Sequence, residues 1–211
     1  MQGAYVKRIL IGVAVWMLFS VMPANASPFE GIKATYGSIN TLDAKFSQKI
    51  FLSSLKKERL FSGDFLYKRK KGFLWSYTIP KDKYFLYDGT YMWQGEAEKS
   101  FVIKEKANKN RTGGAFLDLV EDMAAMDELF VLTKSTKSGD LELLELKPKK
   151  EGTVNYAKIW ITKENLVKKI EIGEFSGNIN TIEFTSVKIN KSIDEGRLTY
   201  KGGATKEILE R

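Results

Sequence analysis

The side chains that carry most hydrolytic and redox chemistry are missing or scattered in these 211 residues, which contain no His and no Cys. That removes Ser-His-Asp and Cys-His catalysis, His-ligated zinc, a histidine pH switch and any disulfide. Gly113-Gly114 is an isolated pair without the spacing of a phosphate-cradling loop. Glu121-Asp122 and Asp127-Glu128 sit where a solvated helix face would put them, and nothing separates an acid from a base as a carboxylate-only glycosidase requires. No local pattern marks a Ser–Lys dyad. The expectation is a protein that is not an enzyme and carries no catalytic residue, no metal and no cofactor.

What remains is binding chemistry, and it concentrates in residues 61–93. Phe61, Gly63, Phe65, Tyr67 and Arg69 share one parity, so on a strand they share one face. Lys70-Lys71-Gly72 supplies a polar turn. Phe73, Trp75, Tyr77 and Ile79 then share a face until Pro80 stops the run. Tyr84 to Tyr87 and Thr90 to Trp93 make two more short strands around the tight-turn pair Asp88-Gly89. Two readings fit this aromatic meander: a β-sandwich core, or a curved sheet whose inner face stays open to an apolar ligand. Arg69 is also open to two readings. It tips into solvent beside Lys68, Lys70 and Lys71, or its five donors and fixed charge lie at the cavity mouth and need acceptors there. The expected acceptors are the orphan carbonyls at the end of a helix over Phe116 to Met126.

The elements that would position these groups follow from periodicity. Phe29, Ile32, Tyr36 and Ile39 repeat at three and four, and Pro28 suits a first turn, which predicts an opening helix. From Leu42 the period becomes two, placing Ala44, Phe46, Gln48 and Ile50 on one face of a strand. Ser53 to Glu58 is a polar connection. Ser100 to Lys104 is another short strand. Phe116, Leu119, Val120, Met123 and Ala124 make one apolar helix face; the helix either packs on the core or moves as a lid, and its Met suits changing partners. Strands are predicted over Glu128 to Thr133, Leu141 to Lys147, Asn155 to Thr162, Val167 to Gly173 and Ile179 to Asn190, ending in a short polar tail after Gly202-Gly203. No repeat, linker or second domain is visible. The pattern is mainly β (α+β): one large antiparallel sheet with two helices.

The amino terminus reads differently. Lys7 and Arg8 precede an apolar run from Ile9 to Met22, and Ala24-Asn25-Ala26 gives an A-x-A cleavage pattern. Residues 1–26 are expected to be a cleaved secretory signal peptide, leaving 27–211 as the mature domain. The apolar run is short for a membrane anchor, and no Cys follows it to be acylated. Loss of Lys7 and Arg8 lowers the formal charge from +8 to +6, since no acidic residue lies before Glu30. An exported basic chain meets anionic lipid or an acidic partner surface, not nucleic acid. The clusters Lys56-Lys57-Glu58-Arg59 and Lys68-Arg69-Lys70-Lys71 are expected at hairpin tips.

The ordered set Gly63, Arg69, Phe73, Trp75, Pro80, Asp88, Gly89 and Trp93 resembles the outer-membrane lipoprotein carrier family (LolA). Phe46-Ser47-Gln48-Lys49, Leu146-Lys147-Pro148 and residues 176–181 extend the likeness over most of the mature chain. Lys70 departs from the family, which commonly has Pro after the Arg. The resemblance implies a single incomplete antiparallel β-barrel, or strongly curved sheet, capped by helices and enclosing an apolar cavity. It implies a monomeric periplasmic lipoprotein-transport chaperone. Such a carrier takes acylated lipoproteins released by an inner-membrane ABC transporter and delivers them to an outer-membrane lipoprotein receptor. By parity and resemblance, acyl chains would line against Phe46, Phe65, Tyr67, Phe73, Trp75, Leu119 and Met123, with Arg69 as the lid latch. The missing lipobox argues against the lipid-anchored receptor of similar fold (LolB). The alternatives are a lipid- or lipoprotein-sensing module of the same fold in envelope stress regulation and, from another class, a periplasmic hydrolase.

Overall fold

The structure, a computed structural model, describes residues 27–106, 123–202 and 206–211. The opening helix α1 (Pro28–Ser38) forms as its sequence requires. The Ser27 hydroxyl accepts from the Phe29 N–H at 3.4 Å, and Pro28 stands where its missing N–H costs nothing. Ile32 and Ile39 are fully buried, and Phe29 and Tyr36 pack beside them, so the predicted stripe is the face turned to the sheet. Ile39 becomes extended and ends the helix.

Among the described residues, twelve strands make one sheet. The amino-terminal half contains β1 (Thr41–Leu52), β2 (Lys57–Lys68), β3 (Gly72–Ile79), β4 (Lys83–Tyr87), β5 (Tyr91–Glu96) and β6 (Phe101–Lys106). The carboxy-terminal half contains β7 (Phe130–Ser138), β8 (Leu141–Pro148), β9 (Val154–Ile161), β10 (Val167–Glu174) and β11 (Ile179–Ile189), with β12 (Glu207–Glu210) at the end of the chain. The order is β12-β6-β5-β4-β3-β2-β1-β11-β10-β9-β8-β7. Two antiparallel meanders are thus joined through β1 and β11. The order is linear, so the curved sheet is an incomplete barrel with β7 and β12 at its edges. Bending is helped by a bulge beside Lys45/Phe46 in the β1–β11 pairing. At Gly63 the β2–β3 register also shifts, and a Cβ there would lie 1.8 Å from the Ser76 carbonyl oxygen, so only Gly permits the crossing.

Alternation sorts the side chains into two apolar clusters. The inner one contains Phe46, Phe65, Phe73 and Trp75 from one half of the sheet, with Leu144, Ile159, Ile170 and Ile182 from the other. The outer one contains Leu66, Leu86, Trp93 and Val102, covered by Leu198 from a segment over residues 190–202 that crosses the convex face. The Asp88-Gly89 turn has a visible cause. Asp88 Oδ1 accepts from the Thr90 and Tyr91 N–H groups at 2.9 and 2.8 Å, and Oδ2 accepts from Trp93 Nε1 at 2.7 Å.

Three expectations change. The predicted strand over Glu128 to Thr133 begins instead as the short helix α2 (Met126–Leu129), because Met126 turns into the core, and β7 starts only at Phe130. The expected polar tail supplies β12, which pairs in parallel with β6 through Glu207↔Phe101 to Glu210↔Lys104. Of the helix expected over Phe116 to Met126, residues up to 122, including Leu119, lie outside the described residues, and Met123–Ala125 is a 3-10 turn leading into α2.

Candidate functional site

The inner face carries an aromatic wall whose members come from adjacent strands. Register sets Phe65 directly opposite Trp75, and Tyr67 opposite Phe73, across β2 and β3. Ring centroids lie 4.4 Å apart for Phe46–Trp75, 5.0 Å for Phe65–Trp75 and 6.2 Å for Phe65–Phe73. Phe46, Phe65, Phe73 and Trp75 are only 2, 4, 2 and 1% exposed, so this stretch of wall is covered. Met123 and Met126 lie in the same cluster, at 2 and 1% exposure, together with α1. The space left among Tyr36, Leu42, Phe65, Met123, Val167 and Phe184 is about 20 Å³. That is room for about one water and for no acyl chain, so this end of the interior is closely packed.

The opposite end is open. A cavity of about 370 Å³ lies where Gln48, Ile50, Phe61, Tyr77 and Phe85 continue the wall toward the far rim, and Lys81, Asp82, Lys83, Glu96 and Glu98 add charged groups to its lining. Tyr77 links the two regions, its ring 5.3 Å from Phe46 and 6.4 Å from Phe85. Gln48, the buried polar side chain among the described core residues, donates to Asn180 Oδ1 at 2.9 Å. Burial pushes the Tyr77 hydroxyl up to about 12, against a hydrogen bond with Trp75 that lowers it. Tyr36 is also pushed up to about 12 by burial, partly offset because its hydroxyl accepts from the Val167 N–H at 3.1 Å.

Arg69 joins the sheet to α1. It is the residue after β2, with the parity of Phe65 and Tyr67, so its side chain turns to the inner face. Its Nε donates to the Ile39 carbonyl at 2.8 Å, one Nη donates to the Tyr36 carbonyl at 2.6 Å, and its backbone N–H donates to the Asn40 carbonyl at 2.8 Å. The acceptors are therefore carbonyls at the end of α1, that of Tyr36, which also accepts the Ile39 N–H at 3.3 Å, and that of the capping Ile39, not of the Phe116 to Met126 helix as expected. The physics is the anticipated one, a cation on the negative end of a helix, but the helix is the one that β2's exit faces. The solvent-tip reading fails for Arg69 and holds for its exposed neighbour Lys70. Lys70 has φ +63°, a conformation proline cannot adopt, so the turn differs in backbone from one with Pro after the Arg.

The structure brings Phe46, Phe65, Tyr67, Phe73, Trp75 and Met123 together in or against one cluster. Sequence reasoning missed Met126, Tyr36 and Phe184. Phe184 was visible as alternation with Ile182 on a strand already expected; Tyr36 was visible in the α1 stripe. Among the described residues, no three acidic side chains gather where a metal could be held. No helix among them is long and apolar enough to cross a membrane.

These features define a class: a helix-capped incomplete barrel with an apolar interior. Residues 37–201 match the family model described as "Outer membrane lipoprotein carrier protein LolA". The chain belongs to that family. An outer-membrane lipoprotein carrier protein of Chromobacterium violaceum is 26% identical over 178 residues, covering 84% of this chain and 85% of the relative. One from Francisella tularensis is 22% identical over 205 residues, 97% of each. Among solved structures, an uncharacterized conserved protein from Thermus thermophilus shares the fold with a TM-score of 0.59 at 8% identity, covering 87% of this chain and 97% of that one.

Proposed function

We propose that this chain is a periplasmic carrier that shields the acyl chains of lipoproteins released by an inner-membrane ABC transporter and hands them to an outer-membrane receptor. Export would remove residues 1–26 and leave 27–211 as the carrier. Phe46, Phe65, Tyr67, Phe73, Trp75, Leu119 and Met123 would line the acyl chains, and Arg69 would latch the cover. The observation that carries this reading is an aromatic-walled interior, filled beneath α1 and open at the far rim, whose covering helix is tied to the sheet by Arg69.

Chemistry at the site would be desolvation alone. Burying an acyl chain is worth ~0.8 kcal/mol per CH₂, so several long chains represent on the order of tens of kcal/mol. A site that gripped all of them tightly could not release them. Broad ring faces and adaptable methionines give partial burial, and the cavity of about 370 Å³ offers a first foothold before α1 moves.

The test is native purification of the exported protein, whose sequence should begin at Ser27, followed by mass spectrometry of what it holds and transfer to acceptor membranes bearing the receptor. Bound acylated lipoprotein that moves to the acceptor is the expected result. Bound ligand without transfer would favour the sensing module, and a ligand lacking acyl chains would overturn the carrier.

A further inference from the structure

The exit of β2 is gripped from both faces. Strand alternation turns Lys68 outward and Arg69 inward, so consecutive residues meet different parts of the molecule. Inside, Arg69 binds the end of α1. Outside, Lys68 Nζ pairs with Glu195 Oε1 and Lys71 Nζ pairs with Glu195 Oε2 at 2.8 Å. One carboxylate therefore bridges the two ends of the turn that carries Arg69. Glu195 opens the short 3-10 helix Glu195–Leu198 in the segment over the convex face. That helix is itself fixed. Asp194 Oδ1 accepts from the Gly196 N–H at 2.9 Å, and Leu198 is fully buried against the outer cluster. The two lysines hold the Glu195 carboxyl down at about 2, so it is ionised whenever the protein is near neutrality.

The turn needs such a clamp. It contains a left-handed lysine at Lys70, and inside the Lys68↔Gly72 pairing the Lys71 N–H donates to the Lys68 carbonyl at 3.1 Å. A left-handed non-glycine residue is an unfavourable conformation that the surroundings must sustain.

We infer that Glu195 is a positioning residue for the Arg69 latch: through Lys68 and Lys71 it fixes the β2–β3 turn from the convex face, so that the guanidinium stays aimed at the α1 carbonyls on the concave face. Disturbance of the 190–202 segment outside thereby reaches the covering helix inside. The inference rests on the proposed latch role of Arg69 and adds to it a second residue on the opposite face of the sheet.

Hydrogen exchange of the α1 amides, followed by mass spectrometry on the full mature chain without cargo, reads the latch directly. At low salt, E195Q should speed α1 exchange roughly two- to five-fold, the scale of exposed ion pairs. Sodium chloride at about 0.5 M should bring the unmutated protein to the same rate and leave E195Q unchanged, because such pairs are screened. In an Arg69→Leu background, E195Q should add nothing to α1 exchange. If E195Q speeds exchange only in residues 190–202, or accelerates α1 equally with and without Arg69, the positioning role is wrong. If Arg69→Leu alone leaves α1 exchange unchanged, the latch itself fails, a result distinct from failure of the Glu195 coupling.

Discussion

Arg69→Leu should separate loading from release. The substitution removes two charge-assisted bonds, to the Tyr36 and Ile39 carbonyls at 2.6 and 2.8 Å, and keeps the backbone bond to Asn40. Hydrogen bonds to charged groups contribute about 1.5–3 kcal/mol each. Arg69 is only half-buried, so water replaces part of the loss at the freed carbonyls. The net cost to the covered state is about 2–3 kcal/mol, a shift of roughly 30- to 150-fold toward the uncovered one. Leucine keeps an apolar side chain on the inner face, so the wall should survive. The assay loads the protein with a labelled acylated peptide and then adds acceptor vesicles carrying the receptor. Binding should persist or tighten, because α1 competes less for the interior. Transfer should fall, because recovering the α1 contacts no longer helps expel the chains. Transfer at the unmutated rate, or loss of binding with transfer per bound peptide unchanged, refutes the latch reasoning.

Phe73→Glu places a carboxylate between Phe65 and Tyr87, at a position now 2% exposed, and should cost several kcal/mol of stability or abolish acyl binding. A folded variant that binds acylated peptide normally, judged by denaturant melting and titration, would remove Phe73 from the cavity. Stability should fall as pH rises from about 10 to about 12. Tyr36 and Tyr77 keep their protons up to about 12 when folded and lose them near the ordinary tyrosine value of about 10 when unfolded, so the unfolded state binds fewer protons in that window. Tyr36→Phe should flatten part of that slope. At neutral pH it should cost about 1–3 kcal/mol by stranding the Val167 N–H, and an unchanged slope in urea melts from pH 9 to 12 would contradict the assignment.

Much of this architecture could be read from period alone. The inward set of Phe46, Phe65, Phe73 and Trp75 needs only alternation, and β1 to β5 follow within a few residues of their expected ends. Arg69 shows where that reading stops. Parity gave the direction of its side chain, but which helix terminus lies there is set by the β1–β2 pairing, whose register places Thr41, three residues after the end of α1, opposite Lys68. Glu195 lay further out of reach. It pairs with lysines 124 and 127 positions away, from a segment with no period of its own. The same holds for β12, four residues whose parallel partner is separated from it by most of the carboxy-terminal half. Met126 was read as the end of a helix, and its burial depends on how that end meets α1.

The contrast between the two ends of the interior bears on how a carrier of this design would work. Space of about 20 Å³ beneath α1 admits no acyl chain, whereas about 370 Å³ at the far rim is already present. Cargo would therefore begin at the rim and advance only as Met123, Met126 and α1 withdraw. The exchange is between like quantities. Each stretch of acyl chain that enters loses water contact, and each methionine or α1 side chain that leaves either regains water or repacks on the cargo. The net affinity is then a difference of two hydrophobic burials and stays far below the gross value of ~0.8 kcal/mol per CH₂. Arg69 would add a directional component to that balance, since its bonds to Tyr36 and Ile39 require α1 to be seated. A few kcal/mol placed there can tip a nearly even exchange toward release, which a deeper or stickier cavity would prevent.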